Sequence, residues 1–167
     1  YLFHNYGHCG HGWSTLFATV DKSIQSFSNL KVNFKEKIVV LGMGIIGLTT
    51  AYYLSQLGYT NIEMIAEEND HTTSEAAGAM INIIKSSTNY NDNDRNELNK
   101  YFLITYLKYK YILEGKDQLS ATFSKFIHPI LLISGNSNQD LGLIDIAKKN
   151  YINKQEDITL IYGSNDN

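Results

Sequence analysis

An α/β fold with a parallel sheet and flanking helices is predicted by three consecutive observations. Lys37–Leu41 (KIVVL) is a short apolar run with two adjacent valines, the pattern of a buried strand of a parallel sheet. Gly42-Met43-Gly44-Ile45-Ile46-Gly47 follows at once, and Leu48–Leu57 then reads as a helix with Gly58 where a C-cap belongs. Ile62–Ala66 (IEMIA) is a second strand that ends in Glu67-Glu68. This is a Rossmann-like βαβ unit with G-x-G-x-x-G at its first turn. An acidic residue stands about 20 positions after the last glycine, the spacing of dinucleotide-binding units.

Each residue type in that unit has a physical task. Gly42 permits the tight turn out of the strand, Gly44 lets a pyrophosphate reach the backbone, and Gly47 lets the helix pack against the strand. The first free N–H groups of the helix, with its positive dipole end, then face the phosphates. Glu67 or Glu68 accepts hydrogen bonds from a ribose.

The flanking chain reads in order as follows. Tyr1–Phe3 suits the end of a strand, and His4–Gly12 (HNYGHCGHG) is a loop. Apolar residues at Leu16, Phe17, Val20, Ile24 and Phe27 give Trp13–Phe27 a helical period, with Ser14 as its N-cap. A glycine loop thus feeds a helix N-terminus, a second anion-friendly feature. Ser28–Glu36 is a polar linker. After the second strand, Asn69–Gly78 (NDHTTSEAAG) is a loop of hydroxyls and small residues, in which Thr72, Thr73 and Ser74 are either turn or capping residues or hydroxyls that contact a ligand's phosphates or sugar chain. Ala79–Ile84 is a short apolar strand or buried loop, and Lys85–Arg95 is polar and exposed. Asn96–Leu113 is a helix with Leu98, Phe102, Leu103, Tyr106, Leu107, Lys110 and Tyr111 on one broad face, closed by Gly115. Ile130–Ser134 and Asp157–Tyr162 read as strands, and Leu141–Asn150 as a short helix.

Composition narrows the function classes. The 167-residue chain is long enough for one domain and its core, and 43 % hydrophobic residues suit a globular protein. A net charge of −3 leaves no basic footprint for nucleic acid. A single cysteine excludes an intrachain disulfide framework and fits a reducing compartment. No apolar run approaches a membrane span, no signal-peptide pattern opens the chain, and a cytoplasmic protein is expected. His4, His8, Cys9 and His11 are metal-ligand types, but the glycines among them suit backbone contacts, and no metal is assigned. Cys9 has no identified activating base and is not assigned as a nucleophile.

On these residues the chain resembles the D-amino-acid oxidase family of FAD-dependent oxidoreductases. VVLGMGIIGLTTAYYL, IEMIAEE and HTTSEAAGAM resemble that family's N-terminal flavin-binding part, with weaker similarity through the aromatic helix to PILLISGNSN, about positions 37–138. FHNYGHCGHGWST resembles its C-terminal signature, a loop that packs against the flavin and feeds the last helix. Cys9 stands where the family has glycine or another very small residue, at odds with a close backbone approach.

The resemblance implies FAD as cofactor, an amino acid as small-molecule substrate and molecular oxygen as electron acceptor. It is compatible with a homo-oligomer. The implied cofactor contacts are Gly42, Gly44, Ile45, Ile46, Gly47, Glu67, Thr72, Thr73, Ala77 and Gly78, joined by Gly10, His11, Gly12, Trp13 and Ser14. Glu67, directly after the strand, is the ribose ligand, and Glu68 is solvated. The implied organisation is a C-terminal-type loop and helix over 1–28, a linker over 29–36, and an incomplete N-terminal-type FAD-binding domain over 37–167.

The family's C-terminal segment therefore precedes its N-terminal one, as a circular permutation, a junction between tandem units or a misassembled gene would give. The Tyr1 start favours a fragment. The substrate domain is missing from the match, Arg95 fits no carboxylate-binding motif, and no catalytic residue is assigned. The alternative is a module that binds FAD or a dinucleotide without turnover, or a remnant of one.

Overall fold

The computed structural model describes residues 1–77 and 91–124. Their elements are α1 (Gly12–Ser28), β1 (Ile38–Leu41), α2 (Ile45–Gln56), β2 (Ile62–Ile65), α3 (Thr73–Ala76), α4 (Asp92–Leu113) and α5 (Ser120–Phe123). The chain divides into two compact units: Tyr1–Ile84 with Tyr90–Lys108, and Lys85–Asn89 with Tyr109–Asn167.

In the first unit β1 and β2 pair in parallel with Ile38 opposite Ile62 and Leu41 opposite Ile65. The ladder extends one step at each end, where Ile38 N–H donates to Asn61 O (2.9 Å) and Gly42 N–H to Ile65 O (2.7 Å). The chain passes between the strands through α2, which packs on both. This is the βαβ unit read from the sequence, with each strand one residue shorter and α2 starting three residues earlier.

Burial alternates along both strands: Ile38, Val40, Ile62 and Met64 are half-buried, and their neighbours are exposed. Val39 is 43 % exposed and Leu41 73 %. The expectation of a strand buried on both faces is corrected accordingly. Parallel strands are apolar throughout because both faces are normally covered, but among the described residues only one face of this pair is.

Helix α2 ends where Gly58 predicts. Gly58 adopts φ +96°. Its N–H donates to Ser55 O, and the Tyr59 N–H reaches back to Leu54 O. These two bonds form a Schellman cap, which needs a left-handed residue at this position.

The core of the unit lies where α1 meets α2 and α4. Leu16, Phe17, Ala18 and Val20 of α1, Tyr53 and Leu54 of α2, Tyr59, and Phe102 and Leu103 of α4 are buried. Helix α1 is rich in hydroxyls yet helical because they bond back to its own turns. Thr15 donates to His11 O, Thr19 to Thr15 O, Ser23 to Thr19 O and Ser26 to Lys22 O. Its N-cap is His11, and Ser14 is buried inside the helix at 2 % exposure, which corrects the expected Ser14 cap. Tyr1–Phe3 forms no strand, because β1 pairs only with β2 among the described residues.

Helix α4 begins at Asp92, four residues before the expected start. Asn91 accounts for the difference: its Oδ1 accepts the Asp94 N–H at 2.9 Å, and Asp92 and Asp94 favour the positive helix end. Arg95 pairs with Asp92. The buried stripe of α4 also includes Asn99 and Thr105, whereas Tyr111 is exposed. The Thr105 hydroxyl accepts the Ala18 N–H of α1 at 3.4 Å.

At the surface Lys22 bonds both Glu97 (3.1 Å) and Tyr101 (2.6 Å). The Tyr101 hydroxyl donates to Glu97 at 2.6 Å. Tyr101 first, and Lys22 second, hold the Glu97 carboxyl below the usual carboxylate range.

In the second unit the last turn of α4 closes on Gly115 (φ +73°) with the same Schellman pair: Gly115 N–H to Ile112 O and Lys116 N–H to Tyr111 O. Glu114 bridges Lys110 and Lys116. Burial pushes the Tyr109 phenol above its ordinary value. The one-turn helix α5 was not foreseen from sequence; it follows a turn in which Asp117 Oδ1 accepts the Leu119 N–H and Asp117 O the Ser120 N–H. The expected elements at 79–84, 130–134, 141–150 and 157–162 lie outside the described residues.

Candidate functional site

The glycine turn between β1 and α2 is built by steric necessity. Gly42 adopts φ +98°, a conformation that L side chains rarely take. A Cβ on Gly47 would stand 2.1 Å from Gly42 O and 3.1 Å from Gly42 C. Helix and strand therefore come together only without that side chain.

The turn aims the start of α2 outward. Leu48 N–H already bonds Gly44 O (3.0 Å), while the amides of Ile46 and Gly47 make no hydrogen bond within the described residues. No acidic residue sits in the first turn of α2. The arrangement offers hydrogen-bond donors and a positive dipole end to an anion.

Two distant segments meet this turn through one residue, Ser74. The Ile45 N–H donates to Ser74 Oγ at 3.0 Å. The Trp13 indole N–H donates to Ser74 O at 2.8 Å. Ser74 lies on α3, which Thr72 caps by accepting the Glu75 N–H at 3.3 Å. Positions 13, 45 and 74 thus share one place.

A pocket of about 280 Å³ opens there, lined by Trp13, Met43, Ile45, Leu48, Asn69, Asp70, Thr72, Ser74 and Glu75. Its two sides differ in chemistry. The amides of the turn suit a phosphate, and the carboxylates of Asp70 and Glu75 suit sugar hydroxyls as hydrogen-bond acceptors.

The loop before α1 is fastened to the first turn of that helix. His11 N–H donates to His8 O (2.8 Å), Thr15 N–H donates to His11 O (3.0 Å), and Thr15 Oγ1 lies 3.3 Å from His8 Nδ1. Gly7, Cys9 and Gly10 all take left-handed conformations, with φ of +81°, +49° and +82°. Cys9 therefore occupies a conformation natural to glycine, as do Gly7 and Gly10 on either side of it.

Of the residues singled out in the sequence, the structure brings Trp13, Ile45 and Thr72 to the pocket, with Gly42, Gly44, Ile46 and Gly47 forming the adjoining turn. Thr73 and Ala77 are exposed on and after α3. Gly10 is exposed and His11 and Gly12 are half-buried at the start of α1. Glu67 is exposed at the tip of β2 and does not line the pocket; Glu68 is exposed as well. Ser14 is buried, and Gly78 lies outside the described residues. Sequence reasoning missed Asn69, Asp70 and Glu75 as pocket residues, whereas Ser74 was singled out with Thr72 and Thr73. Only the run of hydroxyls around Ser74 gave a signal.

Among the described residues no three His, Cys, Asp or Glu side chains gather as a metal site, and no helix is long and apolar enough to cross a membrane. Among curated proteins and solved structures nothing matches the chain. The family model of FAD dependent oxidoreductases matches residues 37–128, more than half of the chain. The residues present suit that cofactor. A left-handed Gly42 and the Ile46 and Gly47 amides, which make no hydrogen bond among the described residues, offer donors for a diphosphate beside a carboxylate-lined pocket, with the Ser74 hydroxyl at the Gly44 face of the turn. The chain therefore belongs to the DAO family of FAD dependent oxidoreductases, whose cofactor is FAD.

Proposed function

We propose that the chain is the flavin-binding part of an oxidase of the D-amino-acid type, which deaminates D-amino acids oxidatively and forms peroxide. The observation that carries this reading is the convergence of Trp13 and Ile45 on Ser74. The segment resembling the family's C-terminal signature and the segment resembling its N-terminal one are separated in sequence, yet they meet at one pocket. Residues 1–28 then act as the C-terminal-type segment despite their position, residues 29–36 as the linker, and residues 37–167 as the N-terminal-type domain.

When bound, FAD accepts a hydride from the substrate α-carbon and passes its electrons to oxygen. This chain's residues bind and orient it. Gly42, Gly44, Ile45, Ile46 and Gly47 hold the diphosphate through the turn and its amides. Glu67 accepts the ribose hydroxyls, and Thr72, Thr73 and Ala77 border the phosphates and ribitol. Gly10, His11, Gly12, Trp13 and Ser14 bring N–H groups and the α1 dipole toward the ring, where negative charge grows on reduction. No side chain of the described residues is assigned a proton-transfer step.

A second reading, a non-catalytic FAD-binding module, is favoured by Arg95. It is the sole arginine of the chain, and it pairs with Asp92 in the first turn of α4. Peroxide release by the FAD-loaded chain separates the two readings. Oxidase activity predicts peroxide from D-alanine or D-aspartate and none from the L-enantiomers. A flavin-loaded chain that yields no peroxide from any D-amino acid overturns turnover by this chain alone and leaves FAD binding as its function.

A further inference from the structure

We propose that the Ser74 hydroxyl is a built-in stand-in for a cofactor phosphate oxygen, which holds the glycine turn until the diphosphate displaces it. The inference rests on the reading that the Gly42–Gly47 turn receives the FAD diphosphate.

Two distances carry it. Ser74 Oγ accepts the Ile45 N–H, the first amide of α2, at 3.0 Å. The same oxygen lies 3.1 Å from the place where a Cβ on Gly44 would stand. Gly44 is the glycine whose missing side chain lets a pyrophosphate approach the backbone. That space and that donor are both taken by Ser74. A phosphate oxygen and the Ser74 oxygen cannot occupy them together.

Charge decides which group prevails. The hydroxyl is neutral and satisfies one donor. A diphosphate is anionic, reaches the Ile46 and Gly47 amides as well, and gains from the helix dipole. Asp70 and Glu75 line the same pocket and oppose an anion, but they act equally whether or not Ser74 carries a hydroxyl.

Displacement requires little movement. The Ser74 backbone stays tethered by Trp13 at 2.8 Å, and rotation about one side-chain bond clears the oxygen from the turn. Ser74 is half-buried and α3 contains no buried residue, so the fold does not depend on this hydroxyl. Its role is to satisfy a donor that would otherwise stand unpaired, at the cost of competing with the ligand.

The test is calorimetric titration of the full chain with ADP, which carries the diphosphate without the flavin, in the wild type, Ser74→Ala and Ser74→Thr. Removing a competing neutral hydrogen bond should tighten ADP binding about fivefold in Ser74→Ala. Ser74→Thr restores the hydroxyl and should return the wild-type affinity. Trp13 is the sole tryptophan and lines the pocket, so its emission should follow occupancy with the same order of affinities. Weaker binding by Ser74→Ala would make the hydroxyl a ligand of the diphosphate and overturn the proposal. Equal affinities would overturn displacement while leaving the diphosphate site standing. Binding by none of the three would overturn that reading of the turn, and displacement with it.

Discussion

Gly47→Ala should destabilise the protein by about 3 kcal/mol and abolish FAD binding. The added methyl would lie 2.1 Å from the Gly42 carbonyl oxygen, a backbone atom that cannot rotate aside. Gly42 is itself fixed, by its left-handed φ of +98° and by its N–H bond to Ile65 O. Relief requires helix α2 to move off β1 or the ladder to lose its last hydrogen bond, the kind of overpacking that costs about 1–3 kcal/mol or more. Either movement turns the Ile45, Ile46 and Gly47 amides away from a common point. Gly12→Ala is the control, because its Cβ would meet nothing within 4 Å at the start of α1. It should be close to neutral by urea denaturation, with Gly47→Ala shifted to a much lower midpoint.

Phe102→Ala should cost about 3–5 kcal/mol, the range for emptying a fully buried aromatic site. Phe102 is 0 % exposed and its ring centroid lies 5.3 Å from that of His11. The side chain thus supports both the α1–α4 core and the residue that caps α1. For a chain of this length the loss corresponds to a fall in Tm of about 10 °C. It is also a large share of the ~5–15 kcal/mol that stabilises a typical domain. Calorimetric melting of the variant checks it. A change of less than about 1 kcal/mol would mean that α1 and α4 do not share this core.

These two sites mark what the sequence reveals and what it hides. Gly47 was legible because a local rule governs it: strand, glycine spacing and helix follow one another within a few residues. The same holds for Gly58 and Gly115, whose caps depend only on the preceding turn. The start of α4 was misread because Asn91, Asp92 and Asp94 fit a polar loop as well as a helix start; only the Asn91–Asp94 hydrogen bond decides between them.

Ser14 was misplaced for a similar reason, since a serine near a helix start caps it only if the helix begins just after. Long-range roles were out of reach. Thr105 is buried because it meets Ala18, 87 residues away. Ser74 matters because it meets Ile45 and Trp13, 29 and 61 residues away. No periodicity encodes such meetings. The short apolar runs likewise placed β1 and β2 correctly but overstated the burial of β1, which depends on what covers the second face.

An FAD site built from the glycine turn and the segment around Trp13 should retain the cofactor through purification. The most direct measurement is FAD titration of the purified full chain, followed by gel filtration and an absorption spectrum of the protein peak. One FAD per chain should remain bound, with bands at about 370 and 450 nm and quenching of Trp13 emission. Gly47→Ala, carried alongside, should elute colourless. A helical, folded wild-type chain that also elutes colourless after incubation with FAD would contradict the claim.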